Sequence, residues 1–442
     1  MTESTIAVLA LLMLGWAAVS GVLARHDITG PFVFALAGYV LANPDWGALT
    51  VNVDAAAVHV VAEVTLALVL FSDAVRVSLA ELRRDLSIPV RLLAIGLVLS
   101  MVLGGVFAGW IIVGLPWALA GFVGAALAPT DAALSVEVIN DERIPLRVRR
   151  ALNVESGLND GIATPVVVFM LAVSASQLGI VSDSVSVEIG AQVRALGGGI
   201  ITGIGVGMGG AVLISTAARR AWMVGGARRL ATLAVAIVAF AAALAFDTNG
   251  FLAAFVAGVA FGAMLDEEVV DRDEAIELPA LGGELLALVV WFLFGATLVP
   301  LAVEDLDGRA VVYAVASLTI VRMLPVALSL ARSGIDRPSV VFIGWFGPRG
   351  LASVVFALLA IEELGATAPE VRRAVATVAW TVLLSVVLHG ITARPGGRRY
   401  VQSEQHRPGL EPAPRGRPST FRRHRHAIVT GRTPATLPDA EA

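Results

Sequence analysis

This sequence predicts an all-α membrane protein of about thirteen transmembrane helices, and three observations carry that reading. Of its 442 residues, 57% are hydrophobic and only 15% charged, with a mean hydropathy of +0.81, far from the values of a water-soluble domain. Apolar runs long enough to cross a bilayer, roughly 17 to 25 residues, recur along the chain, with shorter ones at kinks and re-entrant places. The arginines between the runs are strongly biased to alternate linkers.

The runs are 5–24, 28–42, 54–75, 92–113, 118–139, 151–175 and 189–218, followed by 230–246, 251–265, 281–303, 310–331, 339–360 and 374–393. The first has no basic residue ahead of it, so it reads as a retained helix and not as a cleaved leader. One set of alternate linkers holds sixteen arginines, Arg25, Arg76, Arg83 and Arg84 among them; the other holds only Arg309, Arg372 and Arg373. By the positive-inside rule the N-terminus is outside and the C-terminus cytoplasmic, which requires an odd number of spans. The expected location is the plasma (inner) membrane of a prokaryote.

From Arg394 onward the composition turns to Pro, Arg, His and Ser, so 1–393 is expected to be the membrane domain and 394–442 a basic, disordered cytoplasmic tail. All 32 basic residues are arginine, and no cysteine is present, which excludes disulfides, thiolate metal sites and thiol nucleophiles. A net charge of −4 suggests no nucleic-acid partner.

Polar residues inside the runs locate the chemistry, because an ionisable group at the bilayer centre costs several kcal/mol unless it faces a partner or water. Span three carries Glu63 and ends at Asp73; span five holds Pro129, Thr130 and Asp131, with Glu137 near its inner end. Spans ten, eleven and twelve contribute Glu284, Arg322 and Arg349. Span six is the most informative, since Ser156 and Asp160 are four residues apart, as are Glu155 and Asn159, so each pair lies along one side of the helix. One ridge can offer a hydroxyl and a carboxylate to a small cation, and its neighbour can hold a structural ion pair. The alternative, polar residues serving only as packing glue, leaves a glycine-flanked carboxylate pair unexplained.

Pro129 removes a backbone donor, so span five should break near Ala128 to Asp131, freeing carbonyls that, with the Thr130 hydroxyl, suit a dehydrated monovalent cation. A second interruption, Gly347-Pro348-Arg349-Gly350, sits in span twelve. With span seven (189–218) as a connector, the halves 5–175 and 230–393 become two inverted six-helix repeats with broken helices in matching positions, the pattern of a secondary transporter's binding site. Where the breaks cross, Asp131 and Arg349 have the signs needed to neutralise opposite half-helix ends. Gly199, Gly203 and Gly207 in span seven predict close helix packing.

Four ordered motifs, "FSDAVRV" (71–77), "APTDA" (128–132), "VESGLNDG" (154–161) and "GPRGLASV" (347–354), resemble the monovalent cation:proton antiporter superfamily in its NhaP-like sodium/proton branch. The resemblance implies a thirteen-helix inverted-repeat fold working as a homodimer. It assigns Asp160 as the carboxylate that takes cation or proton, with Na+ held by Asp160, Ser156, Thr130 and Asp73. Asn159 stands beside the site and Asp131 at the crossing. Glu155 resembles the structural partner of a buried arginine, here Arg322, and Arg349 the arginine of the second broken helix. An Asn-Asp pair at 159 and 160 implies the electroneutral branch, one Na+ for one proton. Span three departs from the family's Phe-Glu-x-Gly-Leu-like ending by having Ser72-Asp73, which leaves Glu63 as a substitute ligand.

The expected function is transport and not catalysis, with no cofactor: Na+ or Li+ exchanged for H+ by alternating access, its partners being lipid, cation and proton. A K+/H+ antiporter of the same fold and, at greater distance, a cation channel are the alternatives. An intramembrane aspartyl protease would need a Gly-x-Gly-Asp sequence, which is absent.

Overall fold

The computed structural model describes residues 3–405 except 27, 44, 50, 52–55, 78–86, 132–133, 135–140, 142, 181–184 and 306. Glu137, Arg83, Arg84 and the tail beyond 405 therefore lie outside the described residues. Every apolar run of the sequence carries helix, and no strand occurs among the described residues. The first four helices are α1 (Glu3–Ala24), α2 (Gly30–Leu41), α3 (Ala56–Arg76) and α4 (Ser87–Ile111). Then come α5 (Trp117–Ala126), α6 (Leu146–Gln177), α7 (Val185–Arg219), α8 (Gly225–Ala245) and α9 (Gly250–Met264). The remainder are α10 (Arg272–Glu304), α11 (Gly308–Ser329), α12 (Arg337–Trp345), α13 (Leu351–Leu364) and α14 (Pro369–Gln405). Nine of these are long and apolar enough to cross a membrane; α2, α5 and α9 are apolar but shorter, and α12 and α13 are the two halves of one interrupted run.

Side-chain caps explain several boundaries. The short "DTNG" linker between α8 and α9 suffices because the Asn249 carboxamide oxygen accepts from Leu252 N–H at 2.8 Å and starts the new helix. Asp271, Asp307 and Asp336 cap α10, α11 and α12 in the same way. Helix α14 continues through Arg394 to Gln405, beyond the composition change that suggested a boundary at 393, because Ala393, Tyr400 and Val401 carry its apolar face onward against Phe342 of α12 and Phe346 just after it. Tyr400 stacks on Phe342 with ring centroids 4.1 Å apart, and its hydroxyl lies 2.7 Å from Ser339 Oγ.

Helices α2, α3 and α7 to α10 pack on one another, α4, α5, α11 and α12 form a second set, and α6 and α13 touch both. The glycine stripe of α7 faces inward: a Cβ on Gly203 would lie 2.6 Å from Ala253 O, and one on Gly199 2.7 Å from Asn249 O, so α7 and α9 approach to backbone contact. Against α11, α6 is fixed by a buried ion pair in which Arg322 Nη1 and Nη2 donate to the two Glu155 oxygens at 2.6 and 2.9 Å, both side chains 1% exposed. The same guanidinium runs beneath the second break, where a Cβ on Gly347 would fall 2.5 Å from Arg322 Nε. Glycine is required there by space and not by backbone angle.

Two outcomes follow. Gly203→Leu should destabilise the detergent-solubilised protein by about 1–3 kcal/mol through overpacking, read as a lower unfolding temperature, while Gly205→Leu, which meets open space, should leave it unchanged. Glu155→Ala, which strands the Arg322 charge, should cost about 3–5 kcal/mol, and pairing Glu155→Leu with Arg322→Met should restore most of that loss.

Candidate functional site

Helix α5 ends at Ala126, and the chain passes through Pro129 to Thr130 and Asp131 without regular structure. Helix α12 ends at Trp345 and α13 begins at Leu351. The two interruptions bond directly to each other: Asp131 N–H donates to Pro348 O at 2.8 Å, and Leu351 N–H donates to Asp131 Oδ2 at 3.1 Å. In the opposite sense, Arg349 Nη1 donates to Ala128 O at 2.5 Å and Pro129 O at 3.2 Å, and Ser353 Oγ donates to Ala126 O at 2.6 Å. Each charge thus serves the other helix. Asp131 sits at the amide end of α13 and Arg349 at the carbonyl end of α5, the placements the helix dipole favours. A Cβ at position 350 would collide with the Asp131 carboxylate.

This geometry corrects one expectation. Three carbonyls at the Pro129 break are partly committed, because those of Ala126, Ala128 and Pro129 already accept hydrogen bonds from Ser353 and Arg349. The Thr130 carbonyl is likewise engaged, by Asn159 Nδ2 at 3.2 Å. A buried carbonyl that loses its in-helix donor needs another, and the second break supplies most of them. The side-chain oxygens remain.

Span six brings those oxygens together. Asn159 Nδ2 also donates to Thr130 Oγ1 at 2.7 Å, and the Thr130 and Ser156 hydroxyl oxygens lie 3.3 Å apart, where either can donate to the other. Thr130 and Asn159 are buried, whereas Ser156 and Asp160 keep partial exposure. The buried Asn159 Oδ1 accepts no hydrogen bond among the described residues. Around Asp160 the helix is thinned by glycine: Gly157 faces the backbone of Asp73 on α3, and Gly161 faces the Phe255 ring on α9. Asp73 and Asp131 lie within electrostatic range of Asp160 and of each other.

The charged groups differ sharply in company. Glu155 has Arg322, Asp131 the Leu351 amide, and Arg349 its carbonyls. Asp73 accepts from Arg76 Nη1 at 3.2 Å, one turn along α3 and partly exposed, a partner the sequence reading did not identify. Among the described residues the Asp160 carboxylate has neither a cationic partner nor a hydrogen-bond donor; only its backbone carbonyl is used, by Thr164 Oγ1 at 2.6 Å. Glu63 lies apart from this group, beside Glu362 and Glu363, where His59 Nδ1 is 3.1 Å from Glu362 Oε2. Glu284 is exposed on α10.

Three further residues of the crossing went unflagged: Ser353, Ser385, whose Oγ accepts Arg349 N–H at 2.7 Å, and His389 beneath it. The available signal was a serine and a histidine four residues apart within the apolar run 374–393.

Comparisons with known proteins agree with this architecture. The family profile described as "Sodium/hydrogen exchanger, transmembrane" matches residues 7–397. The chain is 27% identical over 329 residues to the K(+)/H(+) antiporter NhaP of Alkalimonas amylolytica, covering 74% of this chain and 55% of that protein. It is 25% identical over 385 residues to the K(+)/H(+) antiporter NhaP2 of Shewanella sp. (strain ANA-3), covering 86% and 64%. It therefore spans less than two thirds of the length of either relative. The solved sodium proton antiporter MjNhaP1 of Methanocaldococcus jannaschii superposes with a TM-score of 0.71 at 20% identity, covering 90% of this chain and 98% of that one. The matched length and the shared fold place the chain among known relatives: it belongs to the sodium/hydrogen exchanger family.

Proposed function

We propose that this protein exchanges Na+ or Li+ for H+ across the plasma membrane by alternating access, one cation for one proton, with Asp160 as the carboxylate both ions share. One observation carries the reading. Every other charged group at the crossing has a compensating partner, while the Asp160 carboxylate has none among the described residues and lies beside the hydroxyls of Thr130 and Ser156. An ionised carboxylate at that depth needs a positive companion, which a proton or a small cation can supply in turn.

Obligatory exchange follows if only the neutralised site can cross the apolar barrier. Asp160 then carries the charge, Ser156 and Thr130 offer neutral oxygens, and Asn159 holds Thr130 in place through its hydroxyl and carbonyl. Asp131 and Arg349 fix the crossing without contributing net charge to the exchange. Asp73 serves as a part-time ligand that must leave Arg76 to reach the ion. The inverted halves 5–175 and 230–393 and the external N-terminus, which rest on the sequence pattern, and the homodimer, which rests on the family resemblance, complete this proposal.

Potassium is the second reading, favoured by the names of the two NhaP relatives, both K+/H+ antiporters. Cavity radius separates the two cations, and transport assays with each decide between them. A channel built on the same polar groups would conduct without proton coupling.

In proteoliposomes with a clamped potential, a pH gradient should drive Na+ uptake without net charge movement, and Asp160→Asn should abolish it. Proton-coupled flux persisting in that variant would end the assignment. Because proton and cation compete for one group, lowering the pH on the acid side should raise the apparent KM for the cation about tenfold per unit. A hundredfold rise would mean two protons per cation.

A further inference from the structure

We infer that His389 is a positioning residue for exchange, one that pins both ends of the second helix break to the continuous helix α14 and so sets where Thr130 stands. The inference rests on the antiport reading above. His389 is 1% exposed. Its Nε2 lies 2.8 Å from Trp345 O at the end of α12, and its Nδ1 lies 3.2 Å from Ser385 Oγ and 2.9 Å from Ser385 O.

The partners assign the protons. Ser385 Oγ accepts Arg349 N–H at 2.7 Å, so its own hydrogen is free to go to Nδ1, which leaves Nε2 as the N–H that donates to Trp345 O. In this tautomer the Nδ1 lone pair lies 2.9 Å from Ser385 O but takes the Ser385 hydroxyl proton, whereas the opposite tautomer would set the Nε2 lone pair against the Trp345 carbonyl with no donor to meet it. A doubly protonated ring would satisfy both carbonyls but would place a further buried cation within range of Arg349 and Arg322, with no carboxylate bonded to the ring among the described residues. The neutral relay runs Arg349 N–H to Ser385, Ser385 to His389, and His389 to Trp345.

Ser385 and His389 are one turn apart on α14, and Thr392 extends the same face, where its Oγ1 accepts from Trp345 Nε1 at 3.0 Å. One face of a rigid helix thus holds the residue before the gap, Trp345, and a residue that closes it, Arg349. The consequence reaches the ion site in two bonds. Pro348 O, next to Arg349, receives Asp131 N–H, and the Arg349 guanidinium receives the Ala128 and Pro129 carbonyls. Thr130, between Pro129 and Asp131, bonds Asn159 and faces Ser156. Loosening His389 therefore displaces a cation ligand without touching the ion.

The test compares His389→Leu, His389→Gln and Ser385→Ala in proteoliposomes and, independently, by amide hydrogen exchange of segment 346–351. His389→Leu should raise the apparent KM for Na+ about tenfold, as removal of an outer-shell support does at cation sites, with maximal rate and the acid limb of the pH profile little changed. Glutamine, whose amide can still donate to Trp345 O, should recover most of that affinity. Amides of 346–351 should exchange about tenfold faster with leucine, as expected for one lost hydrogen bond, and near the parent rate with glutamine. Should leucine not fold, Ser385→Ala cuts the same relay while keeping the histidine and must show the same KM shift and faster exchange. An unchanged KM with an opened segment, or an unchanged segment, overturns the inference; a shifted acid limb would make His389 a titrating group instead. If the parent protein moves no cation against protons, the antiport reading fails, while hydrogen exchange still reports whether His389 holds the break.

Discussion

Charge inside a hydrocarbon layer must be matched locally, because neither water nor bulk salt is there to screen it. In this protein the matching crosses between two interrupted helices. The carbonyl end of α5 is met by Arg349 from the second break, and the amide end of α13 is met by Asp131 from the first. Each half-helix end carries roughly half an elementary charge, so either side chain alone would leave an imbalance where desolvation is most costly. Neither break is stable without the other. A proline and an aspartate in one run therefore make physical sense only beside a proline and an arginine seven spans later.

That mutual sealing decides what remains for a cation. With the Ala126, Ala128 and Pro129 carbonyls accepting hydrogen bonds, these main-chain oxygens hold the crossing, and in the proposed site the ion falls mainly to side chains. The carboxylate at 160 is the one charged group of the crossing that the fold does not compensate among the described residues. Around it the scaffold is rigid: the Glu155–Arg322 pair fixes α6 to α11, and Asn159 ties α6 to Thr130. An uncompensated group on a compensated frame can change its companion without rebuilding the frame.

Much of this was legible in the sequence because it violated what an apolar helix wants. Pro129, Arg349 and the Glu155–Asp160 stretch are costly in a membrane run, so their presence marked the breaks, the buried pair and the proposed ion site together. What could not be read was the destination of hydrogen bonds. Nothing in the spacing says that Arg349, 220 residues downstream, takes the Pro129 carbonyl, or that Ser353 takes that of Ala126. A serine or threonine in an apolar helix commonly returns its proton to its own backbone, as Thr164 and Thr377 do, so Ser385 looked unremarkable beside them. The helical stretch beyond 393 was hidden by composition, since Tyr400 and Val401 keep an apolar face within a run of arginine and glycine.

The central claim, that one carboxylate is held in turn by a proton and a cation, is tested most directly by proton release on cation binding. Purified protein in weakly buffered detergent solution, at a pH where the site is protonated, should release about one proton per chain as Na+ is added, saturating with cation occupancy. Cation binding with no proton released, or release that survives replacement of Asp160 by Asn, would contradict the account.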